Sequence, residues 1–335
     1  MSEKISFSVP SSDGIHNLSG VVYMPSGEVK GLFQVVHGMT EHIARYDRFL
    51  CDMADEGWIS FGYDHLGHGM TANDDSELGY IAKERGWELL AKDVKAYSDA
   101  VREKFGDSKM PYCLMGHSMG SFVARLSAQK FVKPDRLIIM GTGGPNPAAG
   151  VGLALIEIIK SFKGEKHYSK LIDNIAFGSY NKRFGGDIPS DPKLWLTNDE
   201  NARKIYYADK YCTFNFSVSA MGDLIRLIKY ANSAKWFNEI SSSLPILLVS
   251  GEDDPVGNYG KGIKIVELGK DGKVVFANIV KEPFDFAVID TFGVAFVVNT
   301  EDTSIEGRTT KGKTLKNENK KRRPENVFKI LDKTE

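Results

Sequence analysis

Residues 112–121, which read YCLMGHSMGS, decide how the rest of the chain is interpreted. Residues 112–115 form a short apolar run typical of a strand, and residues 121–131 have the spacing of a helix. Between them lies GHSMG, residues 116–120, a Gly-x-Ser-x-Gly motif that sets its serine on a sharp, strained strand-to-helix turn. Small flanking residues let such a turn approach the neighbouring backbone. The sequence therefore predicts that Ser118 is a nucleophile.

Short apolar runs alternate with helical patterns on both sides of this motif. Such alternation is typical of an α/β fold, in which a mostly parallel sheet carries helices on both faces. Residues 19–24 alternate like an edge strand, whereas residues 31–36 are apolar enough for a strand buried on both faces. The remaining predicted strands are residues 58–63, 136–140 and 245–249, and the remaining predicted helices are residues 46–57 and 87–105.

The rhythm of the chain changes after residue 141. Residues 153–162 and 221–232 have helical patterns, and no central strand is evident before residue 244. An insertion of this length is normally functional, so we expect residues 146–243 to form a helical cap over a site. Alternatively, this segment is a long surface insertion without a function. Residues 1–145 and 244–280 are then the core.

The C-terminal part of the chain is atypical. Residues 273–279 are apolar enough to add a last strand, and residues 292–298 form a second strand-like run. From Arg308 onward the chain is rich in lysine and arginine, which suits a contact with nucleic acid or membrane. Because few apolar residues are available for burial, we instead expect residues 281–335 to be a solvated, poorly ordered basic tail.

The composition excludes several classes of protein. The formal net charge of the 335 residues is −1, which gives no indication of nucleic-acid binding. Cys51, Cys113 and Cys212 are scattered and form neither a metal-type pair nor a disulfide framework. No apolar run approaches the roughly 20 residues that span a bilayer, and residues 1–12 lack the apolar core of a signal peptide. We therefore expect a soluble, cytoplasmic protein.

A serine nucleophile needs donors for the oxyanion that its attack creates. The backbone N–H of Met119, which follows the serine, is one expected donor. The second is expected in the loop HGMTEH, residues 37–42, after the strand that ends at Val36, and Met39 is the predicted residue. In the alternative reading, Gly38 is merely a turn glycine.

An acidic residue is expected at the end of a later strand, where it orients the histidine of a serine triad. The run GEDDPV, residues 251–256, follows the predicted strand 245–249. Asp254 is the first choice, because the residue before a proline is held extended and does not continue a helix. Asp253 is the second choice. A carboxylate that caps the next helix is the alternative reading.

Four motifs together resemble one branch of the α/β-hydrolases, that of monoacylglycerol lipases and lysophospholipases, often labelled serine aminopeptidase-like. The resemblance covers about residues 5–268 and implies the α/β-hydrolase fold. It also implies a serine esterase of monoacylglycerols, lysophospholipids or similar acyl esters, with no cofactor or metal and at most a peripheral membrane contact through the cap. His65 and His68 are implied to fix a loop. The motifs are HGMTEH (37–42), DHLGHG (64–69), GHSMG (116–120) and GEDDPV (251–256), accompanied by WLTNDE (195–200) in the cap.

The sequence departs from this family at the general base. The family carries its base in a Gly-x-x-His-Glu-like loop after a further strand, whereas no histidine follows His167 here. His117 is next to the nucleophile, but we expect its side chain to point back into the fold. His37 is expected to hold the oxyanion loop, and His167 reaches the site only if the cap folds down. We therefore expect very weak ester hydrolysis.

Three explanations of this departure remain open. An unrelated end appended by a frameshift or a fusion is favoured, because the resemblance stops abruptly near residue 268. The chain is otherwise a non-catalytic relative that binds acyl ligands, or a histidine not foreseen completes the site. A peptidase of the same family is the enzymatic alternative, in which Glu41 receives the amino terminus of a substrate.

Overall fold

The computed structural model describes residues 2–186, 188, 191–241 and 243–262, and the backbone of four strands farther along the chain. Eight strands form the central sheet. They are β1 (Glu3–Pro10), β2 (Asn17–Met24), β3 (Gly31–Val36), β4 (Trp58–Tyr63), β5 (Tyr112–His117), β6 (Arg136–Met140), β7 (Ile246–Gly251) and β8 (Val274–Val280).

The strand order is β1-β2-β4-β3-β5-β6-β7-β8. The two pairings that involve β2 are antiparallel, and all the others are parallel. The mostly parallel sheet of the predicted α/β-hydrolase fold is confirmed. β8 adds to the edge beside β7, where the sequence predicted a last strand at residues 273–279. β5, which ends at the nucleophile motif, has neighbours on both sides.

Helices cover both faces of the sheet, as predicted. Alternate residues of β3 separate into two cores: Leu32 and Val36 pack on one face, and Phe33 and Val35 on the other. The first face is covered by α2 and α3, and the second by α1. The helices are α1 (Asp47–Asp55), α2 (Gly86–Phe105), α3 (Met119–Lys130), α4 (Ala149–Lys163), α5 (Lys170–Phe177), α6 (Glu200–Ala208), α7 (Val218–Ala231) and α8 (Ala234–Glu239).

Five helices, α4 to α8, lie between β6 and β7, although these two strands pair directly. Leu224 and Leu227 of α7 pack in the same core as α2 and α3. The indole N–H of Trp236 in α8 donates to the carbonyl of Arg125 in α3, at 2.8 Å. The end of the segment 146–243 therefore joins the helical layer of the core, while residues of α5 and α6 line the cavity described below. The cap as a separate unit stays a prediction.

Three further strands fall within the segment 281–335. β9 (Asp285–Ile289) pairs with β10 (Ala295–Asn299) and β11 (Val327–Lys329) in an antiparallel sheet. The other residues of that segment are outside the described part of the chain, so the expected poor order of the tail stays a prediction. Among the helices that the structure describes, none is long and apolar enough to cross a membrane.

The turn from β5 to α3 depends on two glycines. A Cβ at Gly120 would overlap the carbonyl oxygens of Val36 and His37, where β3 ends. A Cβ at Gly116 would lie 2.7 Å from the Cβ of Ala124 on α3. These approaches need a hydrogen in place of a side chain at both positions. The motif therefore holds the end of β3 against the start of α3.

Gly120→Ala is expected to lower the free energy of unfolding by about 3 kcal/mol or more, because backbone atoms must shift to admit the methyl group. Gly150→Ala is the matched control. Gly150 is also the second residue of its helix, and a Cβ there meets nothing within 4 Å. Gly150→Ala should raise the free energy of unfolding by roughly 0.5–1 kcal/mol. Urea unfolding of both variants measures the difference, and equal effects would contradict the role given to Gly120.

Candidate active site

A cavity of about 560 Å³ opens at the carboxyl ends of the parallel strands. The loops after β3, β5 and β7 contribute Met39, Ser118 and Asp254 to its wall. Parallel strands bring the residues that follow their carboxyl ends to one edge of the sheet. Met119 also lines the cavity. The four predicted site residues therefore meet in one place, together with residues of the segment 146–243.

Ser118 stands at the junction of β5 and α3 in a strained conformation. Its φ of 51° and ψ of −119° lie in a region that side chains rarely adopt. Its N–H donates to the carbonyl of Met140 at 2.9 Å, and its own carbonyl accepts from the N–H of Ser121 at 2.9 Å. These bonds fix the turn on both sides, so that the serine is presented to the cavity.

Two backbone amides belong to residues that line this cavity, Met39 and Met119. The N–H groups of Met39 and Met119 donate to no protein acceptor among the described residues. The loop that carries Met39 approaches the serine closely, because a Cβ on Gly38 would lie 3.1 Å from the Cβ of Ser118. Thr40, the next residue, has a φ of 51°. Free amides beside a serine are the arrangement that an oxyanion hole needs.

The two acidic candidates after β7 differ in position. Asp254 lines the cavity, and its Oδ1 accepts from the N–H of Val256 at 2.9 Å. Its Oδ2 lies 3.5 Å from the hydroxyl of Ser250. Asp253 does not line the cavity, and its carboxylate lies 3.8 Å from the guanidinium of Arg183. The geometry favours Asp254 over Asp253.

Of the seven histidines of the chain, all of which are described, only His117 lines the cavity. Its side chain does not simply point back into the fold as expected, since it is 23% exposed. His37 is buried away from the cavity, and His167 is exposed between α4 and α5. Neither of the latter is therefore placed to act on Ser118.

Glu41 is the centre of a polar network that the sequence analysis did not foresee. Its Oε1 accepts from the N–H of Gly38 and from the hydroxyl of Tyr46, the latter at 2.9 Å. Nδ1 of His117 lies 3.1 Å from the same oxygen, and Nε of Arg45 lies 3.5 Å from Oε2. Burial raises the pKa of Glu41, but His117, Arg45 and the Gly38 amide outweigh it and hold the pKa at about 2.

A second network ties the segment 146–243 to the loop of Met39. The hydroxyl of Tyr206 donates to the carbonyl of Thr40 at 2.9 Å, and the ammonium of Lys193 donates to that hydroxyl at 2.7 Å. Burial lowers the pKa of Lys193 to about 8, although Cys212 and Asp173 act in the opposite direction. The sequence offered no signal for this network, because Tyr206 and Thr40 are 166 positions apart in the chain.

Three side chains, of His42, Asp209 and Cys212, bring possible metal ligands within 4.8 Å of one another. His42 is already 2.7 Å from the carboxylate of Asp209. Burial raises the pKa of Cys212 to about 12, so the thiolate form that binds metals is disfavoured. The guanidinium of Arg45 also lies 3.7 Å from the sulfur. These three residues do not suit a cation.

Three buried histidines hold the loops behind the nucleophile. Nε2 of His37 accepts from the N–H of His65 at 3.0 Å, and Nδ1 of His68 donates to the carbonyl of Leu66 at 3.0 Å. The rings of His37 and His65 are 4.2 Å apart. Burial lowers the pKa of His65 to about 3 and that of His68 to about 4. Both residues thus fit the loop-fixing role that the resemblance implied.

Acid should therefore destabilise the protein through these histidines. Because the unfolded chain binds protons with a pKa of about 6.5 and the folded His68 does not, its contribution is complete above that pH and is lost as pH falls towards 4. By about pH 5 the loss amounts to about 2 kcal/mol for His68. His68→Gln should remove this share of the difference in unfolding free energy between about pH 7 and pH 5, as measured in urea. His167→Gln, at an exposed position, should leave the difference unchanged.

Several known proteins are similar to this chain. The chain is 28% identical to human monoglyceride lipase over 251 residues, which cover 74% of this chain and 73% of that protein. It is 30% identical to mouse monoglyceride lipase over 106 residues, so that it spans only about a third of the mouse protein. A thermostable carboxyl esterase from Bacillus coagulans, solved in complex with glycerol, superposes with a TM-score of 0.75 at 26% identity, over 82% of this chain and 89% of that one.

A family model gives the same result. Residues 27–276 match the model described as serine aminopeptidase, S33. The match includes the loop of Met39, the nucleophile turn and the acidic loop after β7. It confirms the resemblance stated from the four motifs. Because the model covers well over half of the chain, the protein belongs to the serine aminopeptidase S33 family of α/β-hydrolases.

Proposed function

We propose that the protein is a serine hydrolase of carboxylic esters of the monoacylglycerol or lysophospholipid type, with Ser118 as its nucleophile. The observation that carries this proposal is the cavity itself. A strained serine, two backbone amides without protein acceptors and Asp254 line the same space. Its similarity to a monoglyceride lipase and to a carboxyl esterase supports ester hydrolysis.

In the proposed reaction, the hydroxyl oxygen of Ser118 bonds to the ester carbonyl carbon, and the carbonyl oxygen gains a negative charge. The amides of Met39 and Met119 stabilise that oxyanion, and one such donor contributes roughly a hundred- to a thousandfold in rate. The bond to the alcohol then breaks, the alcohol leaves with the proton that the Ser118 hydroxyl gave up, and the acyl group remains on Ser118. Water attacks this acyl-enzyme, releases the fatty acid and restores the hydroxyl.

The wall of the cavity suits an amphiphilic ester. Phe122 of α3 and Leu224 and Ile228 of α7 give it an apolar part. Thr40, Tyr206 and Lys193, which are joined by hydrogen bonds, give it a polar part. An apolar cavity with a few convergent polar groups is typical of a small-molecule site. A fatty acyl chain esterified to a polar alcohol has the same two-part character.

Glu41 is a poor receptor for the amino terminus of a peptide. One of its oxygens already accepts from Gly38 and Tyr46, and His117 lies beside that oxygen. Arg45 faces the other oxygen. A substrate ammonium would have to displace partners that hold the carboxylate ionised. The geometry therefore favours esters over peptides.

Proton transfer is the step of this reaction for which the cavity provides the fewest suitable side chains. Because the hydroxyl of Tyr46 donates to Glu41, Nδ1 of His117 carries the hydrogen, and its Nε2 is the basic nitrogen. A Cβ added to Gly141 would lie 3.6 Å from this Nε2 and 3.7 Å from Oδ2 of Asp254. Glu41 and Tyr46 hold the Nδ1 side of this ring. We propose that the family's base is missing from the 335 residues and that turnover is weak.

Replacing the residues after 268 with an end that carries the family's Gly-x-x-His-Glu loop should raise ester hydrolysis by roughly a thousand- to a millionfold, because a base beside Asp254 can then activate Ser118. The measurement is kcat/KM on a monoacylglycerol and on a chromogenic ester. The same replacement with alanine at the loop histidine is the matched control, and Ser118→Ala should abolish the gain.

The restored chain also tests the acid. Asp254→Asn should lower kcat by roughly ten-thousandfold, as expected when a triad histidine loses its orienting carboxylate, whereas Asp253→Asn should change it less than about threefold. Robust hydrolysis by the unaltered chain, lost with Ser118→Ala and with His117→Gln, would contradict the missing base and assign it to His117. Acyl-ligand binding without turnover in the restored chain would make the protein a non-catalytic binding protein.

We further propose a peripheral membrane contact through α4 and α5. Val151, Ile158 and Phe162 share one face of α4 and are 74%, 56% and 83% exposed. On α5, Leu171 and Ile175 are 55% and 64% exposed, while other residues of the same helix line the cavity. Exposed apolar faces of this kind mark contact surfaces. Docking on a bilayer would bring the cavity close to a lipid substrate.

Phe162→Ser combined with Ile158→Ser should weaken binding to phosphatidylcholine vesicles by about tenfold, since both substitutions remove apolar area from the docking face. Cosedimentation with vesicles measures the effect. Ile15→Ser is the control, because Ile15 is 77% exposed but lies in the turn between β1 and β2. An equal loss with both changes would show that the α4 face has no special role.

A further inference from the structure

Lys193 presents a cation to the cavity that no carboxylate neutralises within the described part of the chain. It lines the cavity and is partly buried. Its ammonium donates to the hydroxyl of Tyr206 at 2.7 Å, and it stands 4.7 Å from the centre of the same ring. That hydroxyl donates its own proton to the carbonyl of Thr40. Tyr206 therefore orients Lys193 but supplies no negative charge.

The nearby carboxylates have other partners. Asp191 lies 2.8 Å from Nε of Arg203 and accepts from Tyr207 at 2.7 Å. Asp209 lies 2.7 Å from Nε2 of His42. Asp173 also lines the cavity and feels the charge of Lys193, but no ion pair joins the two. An ammonium has three donors, and Tyr206 takes one of them.

Arg45 adds a second cation beside the same ring. Its guanidinium carbon lies 5.0 Å from the centre of Tyr206, and the residue lines the cavity. Its Nε is buried and makes no hydrogen bond to any described residue, although Oε2 of Glu41 is 3.5 Å away. Glu41 is shared between this arginine and His117. The positive charge of Arg45 and Lys193 together therefore exceeds what Glu41 supplies.

We propose that Lys193 and Arg45 form an anion subsite for the phosphate of an acyl ester, so that the preferred substrate is an acylglycerol phosphate. This inference rests on the proposed ester hydrolysis at Ser118. Tyr206 bonds to Thr40, the residue after Met39, so the subsite adjoins the oxyanion loop. In the proposed binding mode, the carbonyl of the ester reaches Ser118, and the alcohol with its phosphate lies on this side of the cavity.

The test measures the binding of oleoyl lysophosphatidic acid, oleoyl glycerol and inorganic phosphate to the full chain with Ser118→Ala, by calorimetry. Lys193→Met should weaken the binding of lysophosphatidic acid at least about tenfold more than the binding of oleoyl glycerol, because one charged hydrogen bond is lost. Lys193→Arg should restore most of the affinity. Asp173→Asn should tighten the binding of lysophosphatidic acid, because a competing negative charge is removed.

The outcomes separate this subsite from the proposed reaction. Equal losses for both lipids with Lys193→Met, or none, would overturn the subsite, as would inorganic phosphate alone binding as tightly as the lipid. A failure of both lipids to bind would overturn it as well. Thermal unfolding of each variant shows whether it is folded. If Lys193→Met does not fold, the affinities of Lys193→Arg for the two lipids decide whether the subsite exists. Hydrolysis is measured separately, in the chain with the restored histidine loop. If that chain binds the lipid without turning it over, the proposed hydrolysis is wrong but the anion subsite stands.

Discussion

The contact between the end of β3 and the start of α3 is the constraint on which the site depends. Without a side chain, Gly120 reaches the carbonyls of Val36 and His37. That contact sets the loop of Met39 beside the turn of Ser118, which is why two amides and one hydroxyl share a wall of the cavity. A site made of backbone groups needs this close approach, because a backbone N–H cannot extend toward a ligand as a long side chain can. The buried histidines behind the loop then hold its position.

Much of the fold was predictable from local patterns. Apolar runs gave β3 to β7 within a residue or two, because strands buried on both faces are nearly continuous in sequence. β1 was missed, since an edge strand that is partly exposed carries a weak apolar signal. The packing of α7 and α8 on α3 was also missed. Their helical patterns show one apolar face but do not say which surface covers it.

The candidate site divides in the same way. Ser118, Met39, Met119 and Asp254 were foreseen because each occupies a fixed place in a local motif, and all four line the cavity. Tyr206 and Lys193 were not foreseen, because Tyr206 contacts Thr40 across more than 150 positions of the chain, and Lys193 joins this network only through Tyr206. Arg45 and Tyr46 had a partial signal. They follow Glu41 by four and five residues, but the pairing requires knowledge of how that loop turns.

Two opposite electrostatic designs meet in one cavity. Glu41 is surrounded by donors, so its charge is stabilised and it holds the loop of Met39 and the ring of His117. Lys193 is the reverse case: it is partly buried, bonded to a hydroxyl and without a carboxylate in ion-pair contact in the region described. Groups that complete a structure are neutralised within it, whereas a charge left uncompensated in a cavity costs stability unless a ligand completes it. The same reasoning separates binding from chemistry here. The turn of Ser118, the loop of Met39 and the contact of Lys193 with Tyr206 are held by bonds within the described residues, whereas the proposed reaction still lacks a base.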